Sequence, residues 1–146
     1  MVTAAKLGQT APLYRLDAQI GFILRRASQR HLAIFADRIP ELTPQQLAVL
    51  ARLCELGALS QNQLGRETAM DGATVKGVVD RLLARALVVA EPDLRDRRRL
   101  VVRLSGEGRA LFDELAQVGM AVSAETLAPL DEDERQILLR LLEKIA

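Results

Sequence analysis

A chain of 146 residues is long enough for one domain with a real core and too short for two large ones. With 49% apolar residues it is not a disordered chain. With 3% aromatics and no Trp, its core must come from Leu, Ala, Val and Ile, a mixture that leans toward helix. The formal net charge is +1, yet residues 76–104 hold 8 basic against 4 acidic side chains, and residues 105–146 hold 4 against 9. A near-neutral whole thus contains a basic middle suited to a polyanion and an acidic tail.

The single cysteine, Cys54, permits no internal disulfide and fits a reducing cytoplasm. No run approaches 18 uncharged apolar residues, and the N-terminus lacks a compact apolar signal region, so a soluble cytoplasmic protein with no membrane partner is expected. One His and one Cys, with no metal-ligand spacing and no glycine-rich phosphate loop, give an enzyme little to work with. No catalytic residue, metal site or cofactor is expected.

In chain order, Leu16, Ile20, Leu24, Ala27, His31, Ile34 and Phe35 recur at helical spacing between Leu13 and Arg38, and Pro40 ends the pattern. Thr43-Pro44-Gln45-Gln46 has the form of a capping box with Pro at the first helical position. It opens a helix to about Leu56, where Gly57 supplies a left-handed stop. Ser60-Gln61-Asn62-Gln63 repeats the capping box and opens a short helix to about Thr68. Asp71 caps a further helix running to about Arg85, with Val75, Val78, Val79, Leu82 and Leu83 facing inward.

The period then changes. Residues 87–91 and 100–104 read as strands, joined by the polar run Pro92-Asp93-Leu94-Arg95-Asp96-Arg97-Arg98-Arg99. Ser105 opens a long helix to about Leu127, and Asp131-Glu132-Asp133-Glu134 begins the last, its carboxylates placed where the helix dipole favours them.

Short helix, tight turn, second helix and hairpin form the order of a winged helix-turn-helix, in which the second helix enters the major groove. The expected fold is mainly α with a small β-hairpin wing. Candidate DNA contacts are Ser60 and Gln61 at the first helix, and Ala73, Thr74, Lys76, Gly77 and Arg81 on the second. The hairpin adds Arg95, Asp96, Arg97, Arg98 and Arg99, guanidinium groups that suit a narrow minor groove. Asp96 is expected to pair with Arg98 and aim it. Read alone, an arginine cluster is a solvated surface and a pair of capped short helices is common. The two together in this order point to double-stranded DNA.

Residues 42–111 resemble the core of MarR-family regulators, above all in the stretches V-D-R-L-x-x-R-x-L-V (79–88), D-x-x-D-R-R (93–98) and L-S-x-x-G-R (104–109). The resemblance puts Thr74, Lys76 and Gly77 on the recognition helix and Asp96 and Arg98 at the wing's paired Asp and Arg. The chain departs from the family at Gly77, where an arginine is frequent, and at Ala86, where glycine is usual. It implies a single domain over 1–146. A DNA-binding head at 42–104 would join a helical dimerisation region from 10–40 and 105–146, and the homodimer would bind a palindromic operator.

The excess of apolar residues in the terminal helices suits a subunit interface. Residues 13–35 are similar to the first helix of regulators of aromatic-acid degradation, which implies a small aromatic acid or its CoA thioester as effector. Phe22, Arg26, Arg30, His31 and Phe35 are the candidate effector contacts. Each has a plainer reading as well: a satisfied, partly buried histidine, arginines lining a solvated face, phenylalanines in a core. Two alternatives carry no effector, an architectural DNA-binding protein and a redox sensor acting through Cys54. The family's peroxide sensors carry their cysteine near the first helix, where this chain has Tyr14 and no cysteine.

Overall fold

The computed structural model describes residues 13–146. Residues 10–12 of the expected dimerisation region, and the N-terminal stretch read for a signal, lie outside the described residues. The order is a single 3-10 turn (Leu16–Ala18), α1 (Ile20–Arg38), α2 (Pro44–Leu56), α3 (Gln61–Glu67), α4 (Gly72–Ala84), β1 (Val88–Pro92), β2 (Leu100–Leu104), α5 (Gly106–Thr126) and α6 (Glu132–Ile145). Among the described residues no helix is long and apolar enough to cross a membrane.

From α2 onward every helix starts where a side-chain oxygen satisfies free backbone N–H groups. Thr43, Ser60 and Asp131 do so in reciprocal capping boxes with Gln46, Gln63 and Glu134, while Asp71 and Ser105 accept from Thr74 and Gly108. The first helix differs from its expected course. It does not run on from Leu13, because Gln19 is extended and offers no side-chain cap; it donates instead to the Arg15 carbonyl at 3.0 Å and closes the separate 3-10 turn.

The stop at Gly57 also differs. Its φ of 77° and ψ of −158° lie outside the left-handed helical well, in a region open essentially only to glycine. Ala86, at the position where the resemblance makes glycine usual, sits at φ 58°. A Cβ in that left-handed region costs roughly 1–2 kcal/mol, a strain that the surrounding turn holds in place.

The core gathers around α2. Val49, Leu50 and Leu53 meet Leu64 of α3, Val75, Val79 and Leu82 of α4, Val88 and Val102 of the hairpin, and Leu115 and Val122 of α5. Deleting a fully buried leucine such as Leu50 or Leu82 from such packing costs about 2–5 kcal/mol. Leu83, expected inward, is 36% exposed, because the buried stripe of α4 follows 75, 78, 79 and 82 and carries 83 past its edge.

The α1 stripe behaves differently again. Only Phe35 is buried, and Ile20 is 60% exposed. Helix α6 buries none of its residues.

Strands β1 and β2 pair antiparallel with Val88 opposite Leu104 and Pro92 opposite Leu100. Leu59, just before α3, adds a bridge to Val102 through two hydrogen bonds of 3.0 and 2.7 Å. The hairpin is therefore tied to the segment that opens α3 at the middle of β2 as well as to the core.

Candidate nucleic-acid interface and effector seat

The turn between α3 and α4 is tight because three local features agree. Ala69 takes φ 55°, the Met70 N–H donates to the Gly65 carbonyl at 2.9 Å, and a Cβ at Gly65 would stand 3.1 Å from the Met70 carbonyl oxygen. Asp71 then starts α4 by accepting the Thr74 N–H at 2.7 Å, and this bond holds its carboxyl below the ordinary value. A carboxyl lowered in the fold stabilises it above the ordinary carboxylate pKa. That contribution is lost as pH falls through the lowered value.

With its buried stripe against the core, α4 presents Ala73, Thr74, Lys76 and Arg81 to solvent. Lys76 Nζ lies 2.8 Å from Asp80 Oδ2, an exposed pair one turn apart. Gly77 is half-buried, and the Arg81 guanidinium passes 3.7 Å from where its Cβ would be. The space left by the missing side chain is thus occupied by an arginine from the next turn.

The wing loop is closed by its own backbone. The Asp93 N–H donates to the Arg99 carbonyl (2.8 Å) and the Arg99 N–H to the Asp96 carbonyl (3.0 Å). The Asp93 and Asp96 carboxylates accept the N–H groups of Arg95 and Arg98 at 3.0 and 3.1 Å. Asp96 Oδ1 also lies 3.9 Å from Arg98 Nε, with the Arg98 side chain 97% exposed. Asp96 therefore grips the backbone of Arg98 more closely than its guanidinium. Arg103 and Glu91 pair across the strands at 2.8 Å.

Arg99 is placed differently from the other wing arginines. Its guanidinium donates to Ser60 Oγ at 2.7 Å, and Ser60 is buried at the start of α3, beside half-buried Gln61. Nothing in the local sequence signals this contact, since its partners are 39 positions apart.

The effector candidates lie along α1. Arg26 stands over the Phe22 ring at 5.7 Å, and Phe35 is part of the core. Arg30 donates to the Thr126 carbonyl at 2.5 Å and, beside the Ala128 N–H, to the Glu125 carbonyl at 3.0 Å, at the end of α5 where carbonyls lose their helical partners. His31 Nδ1 lies 2.8 Å from Thr126 Oγ1, whose own hydroxyl donates to the Val122 carbonyl at 2.9 Å. With that hydroxyl proton directed at Val122, Nδ1–H is the donor, and Nε2 makes no hydrogen bond among the described residues.

Arg38 pairs with Glu125 at 2.8 Å, so three side chains of α1 converge on two residues of α5. Sequence reasoning picked out Arg30 and His31 but not Thr126 and Glu125, which lie about a hundred positions along. Cys54, half-buried on α2, accepts from an Arg109 guanidinium N–H at 3.4 Å.

A model described as the MarR family matches residues 41–99. The HTH-type transcriptional repressor NicR of Pseudomonas putida is 40% identical, over 93% of this chain and 90% of its own. A crystal structure of a probable transcriptional regulator from Pseudomonas aeruginosa is 50% identical and superposes with a TM-score of 0.85 over 90% of this chain and 100% of that one. The structure of BpsR from Bordetella bronchiseptica, whose DNA binding is regulated by 6-hydroxynicotinic acid, is 41% identical. Its TM-score is 0.88 over 91% of this chain and 96% of that one.

Proposed function

Because this chain belongs to the MarR family of transcriptional regulators, we propose that it is a cytoplasmic homodimeric repressor that binds a palindromic operator and is released by a small aromatic acid. The observation that carries the DNA-binding part is one connected unit. It presents the free face of α4, with Thr74, Lys76 and Arg81, beside a hairpin tip bearing Arg95, Arg97 and Arg98. The helix reads base edges in the major groove and the wing enters the adjacent minor groove.

A second copy of the chain covers what one copy leaves bare. Helix α6 buries no residue, and Ile137, Leu141 and Ile145 stay 46–65% exposed on it, while Ile20 and Leu24 on α1 are 60% and 40% exposed. In this reading a head over 42–104 is carried between two helical flanks, 10–40 and 105–146. Pairing those flanks sets two α4 helices about one DNA turn apart.

The aromatic-acid effector rests on the similarity to BpsR and on the chemistry of α1. A carboxylate is a stronger partner for a guanidinium than the neutral carbonyls that Arg30 holds. An acid settling against Phe22, Arg26 and His31 Nε2 draws Arg30 from the end of α5. The α1–α5 packing changes, and with it the spacing of the heads. Such a ligand acts only through its better fit to the released state; equal affinity for both states shifts nothing.

The test titrates operator-bound protein with 6-hydroxynicotinate, benzoates, cinnamates and their CoA thioesters. Release by a free acid, lost in Arg30→Ala, is expected. Release by thioesters alone moves the effector to the CoA class, and binding of any of them without release contradicts the proposal.

A further inference from the structure

We infer that Arg99 is a positioning residue, whose guanidinium braces the wing against the first turn of the helix-turn-helix and takes no phosphate. This rests on reading the wing as a DNA contact, and it divides the four arginines of the hairpin into two kinds. Arg95, Arg97 and Arg98 have guanidinium groups that make no hydrogen bond to any described side chain or carbonyl. The Arg98 guanidinium comes no nearer to the Asp96 carboxylate than 3.9 Å, and its side chain is almost wholly in solvent. Those groups are free to meet DNA. The Arg99 guanidinium turns back and donates to Ser60 Oγ at 2.7 Å.

Ser60 is a fixed anchor. It is only 7% exposed, and its Oγ also accepts the Gln63 N–H at 3.2 Å in the cap of α3. The backbone of Arg99 is equally committed, with its N–H on the Asp96 carbonyl and its carbonyl on the Asp93 N–H. A residue held at both ends of its backbone and at the tip of its side chain transmits position from one element to the other.

Three residues along β2, Val102 makes its paired bonds to Leu59, directly before Ser60. The segment 59–60 therefore holds the hairpin at two points, one midway along β2 and one at its tip. Removing the upper point leaves the hairpin attached at mid-strand and its tip free to swing about that point. The free arginines then meet the minor groove in a spread of positions, and ordering them costs binding free energy. Arg99 therefore acts on affinity through the placement of its neighbours.

The distinguishing readout is salt dependence. An arginine on a phosphate releases counterions, so its loss lowers the slope of log K against log salt by about one. A brace carries no such contribution. The experiment measures operator affinity across a salt series for wild type, Arg99→Ala, Arg98→Ala, Ser60→Gly and the Ser60→Gly, Arg99→Ala double variant, all full-length. Glycine caps a helix nearly as well as serine, so Ser60→Gly removes the anchor while keeping α3.

The expected result is that Arg99→Ala weakens binding by about tenfold, the order of one charge-assisted hydrogen bond, leaves the slope unchanged and has no further effect once Ser60 is glycine. A slope reduced by about one, or a full Arg99→Ala loss persisting in the Ser60→Gly background, overturns the brace, as does an unchanged affinity. Arg98→Ala is read separately. If it alters neither affinity nor slope, the wing does not touch DNA, and the reading on which the brace rests fails instead.

Discussion

Gly108→Ala is expected to cost roughly 3 kcal/mol or more of folding stability, at the upper end of what overpacking does. The reason is a backbone contact with no room to relax. A Cβ at Gly108 would stand 1.8 Å from the Leu87 carbonyl oxygen and 2.8 Å from its carbon. That carbonyl belongs to the turn joining α4 to β1 and already accepts the Ser105 N–H at 3.1 Å. Ser105 binds the same turn through its hydroxyl, which donates to the Ala86 carbonyl at 2.6 Å and accepts the Gly108 N–H at 2.9 Å.

The L-S-x-x-G-R stretch is therefore a clamp that seats the start of α5 on the end of the recognition helix, and glycine is required because the two backbones touch. Thermal unfolding followed by far-UV circular dichroism should show a Tm lower by roughly 10 °C for a domain of this size. A shift of less than about 2 °C would mean that the turn moves aside freely and that the clamp is unimportant.

The second large effect falls on DNA recognition. Thr74→Ala or Lys76→Ala is expected to cost on the order of 1–3 kcal/mol on the cognate operator and less on random DNA, because base contacts specify while phosphate contacts position. Thr74 is fixed in place by its own backbone N–H on Asp71, so its side chain meets DNA from a rigid first turn. Lys76 is held at 2.8 Å by Asp80, with both side chains more than half exposed. Such a pair contributes little, so the ammonium leaves Asp80 for a base or phosphate at small cost. Binding titrations on both DNAs separate the roles, and equal losses on the two would reduce both residues to backbone contacts.

Much of this could be read along the chain, because local chemistry decides it. The caps at Thr43, Ser60 and Asp71 and the bounds of β2 follow from residues within four positions of one another. The strand-forming run at 87–91 is displaced by one position, since Leu87 remains buried in the turn that Ser105 grips and pairing begins at Val88.

What could not be read depends on contacts between distant residues or on a missing partner. The stripe of α1 has ideal spacing for a core, yet Ile20 and Leu24 are bare in one chain, and periodicity does not say which surface a stripe meets. The joining of Arg30 and His31 to Thr126, and of Arg99 to Ser60, follows from tertiary packing alone. Gly57 was legible as a helix stop, but its ψ of −158° comes from the direction in which the chain must leave α2.

The central claim is that two copies of this chain read one palindrome through α4 and the wing. It is tested most directly by a fluorescence-anisotropy titration of the full chain, with stoichiometry, on a palindrome selected from a random duplex pool. The control is the same duplex with one half-site scrambled, measured at equal salt. The account predicts half-sites centred about 10 base pairs apart, two chains of 16.0 kDa per duplex, and binding at least roughly a thousandfold tighter than to random DNA. One chain per duplex, or equal affinity for the intact and half-scrambled sites, would contradict it.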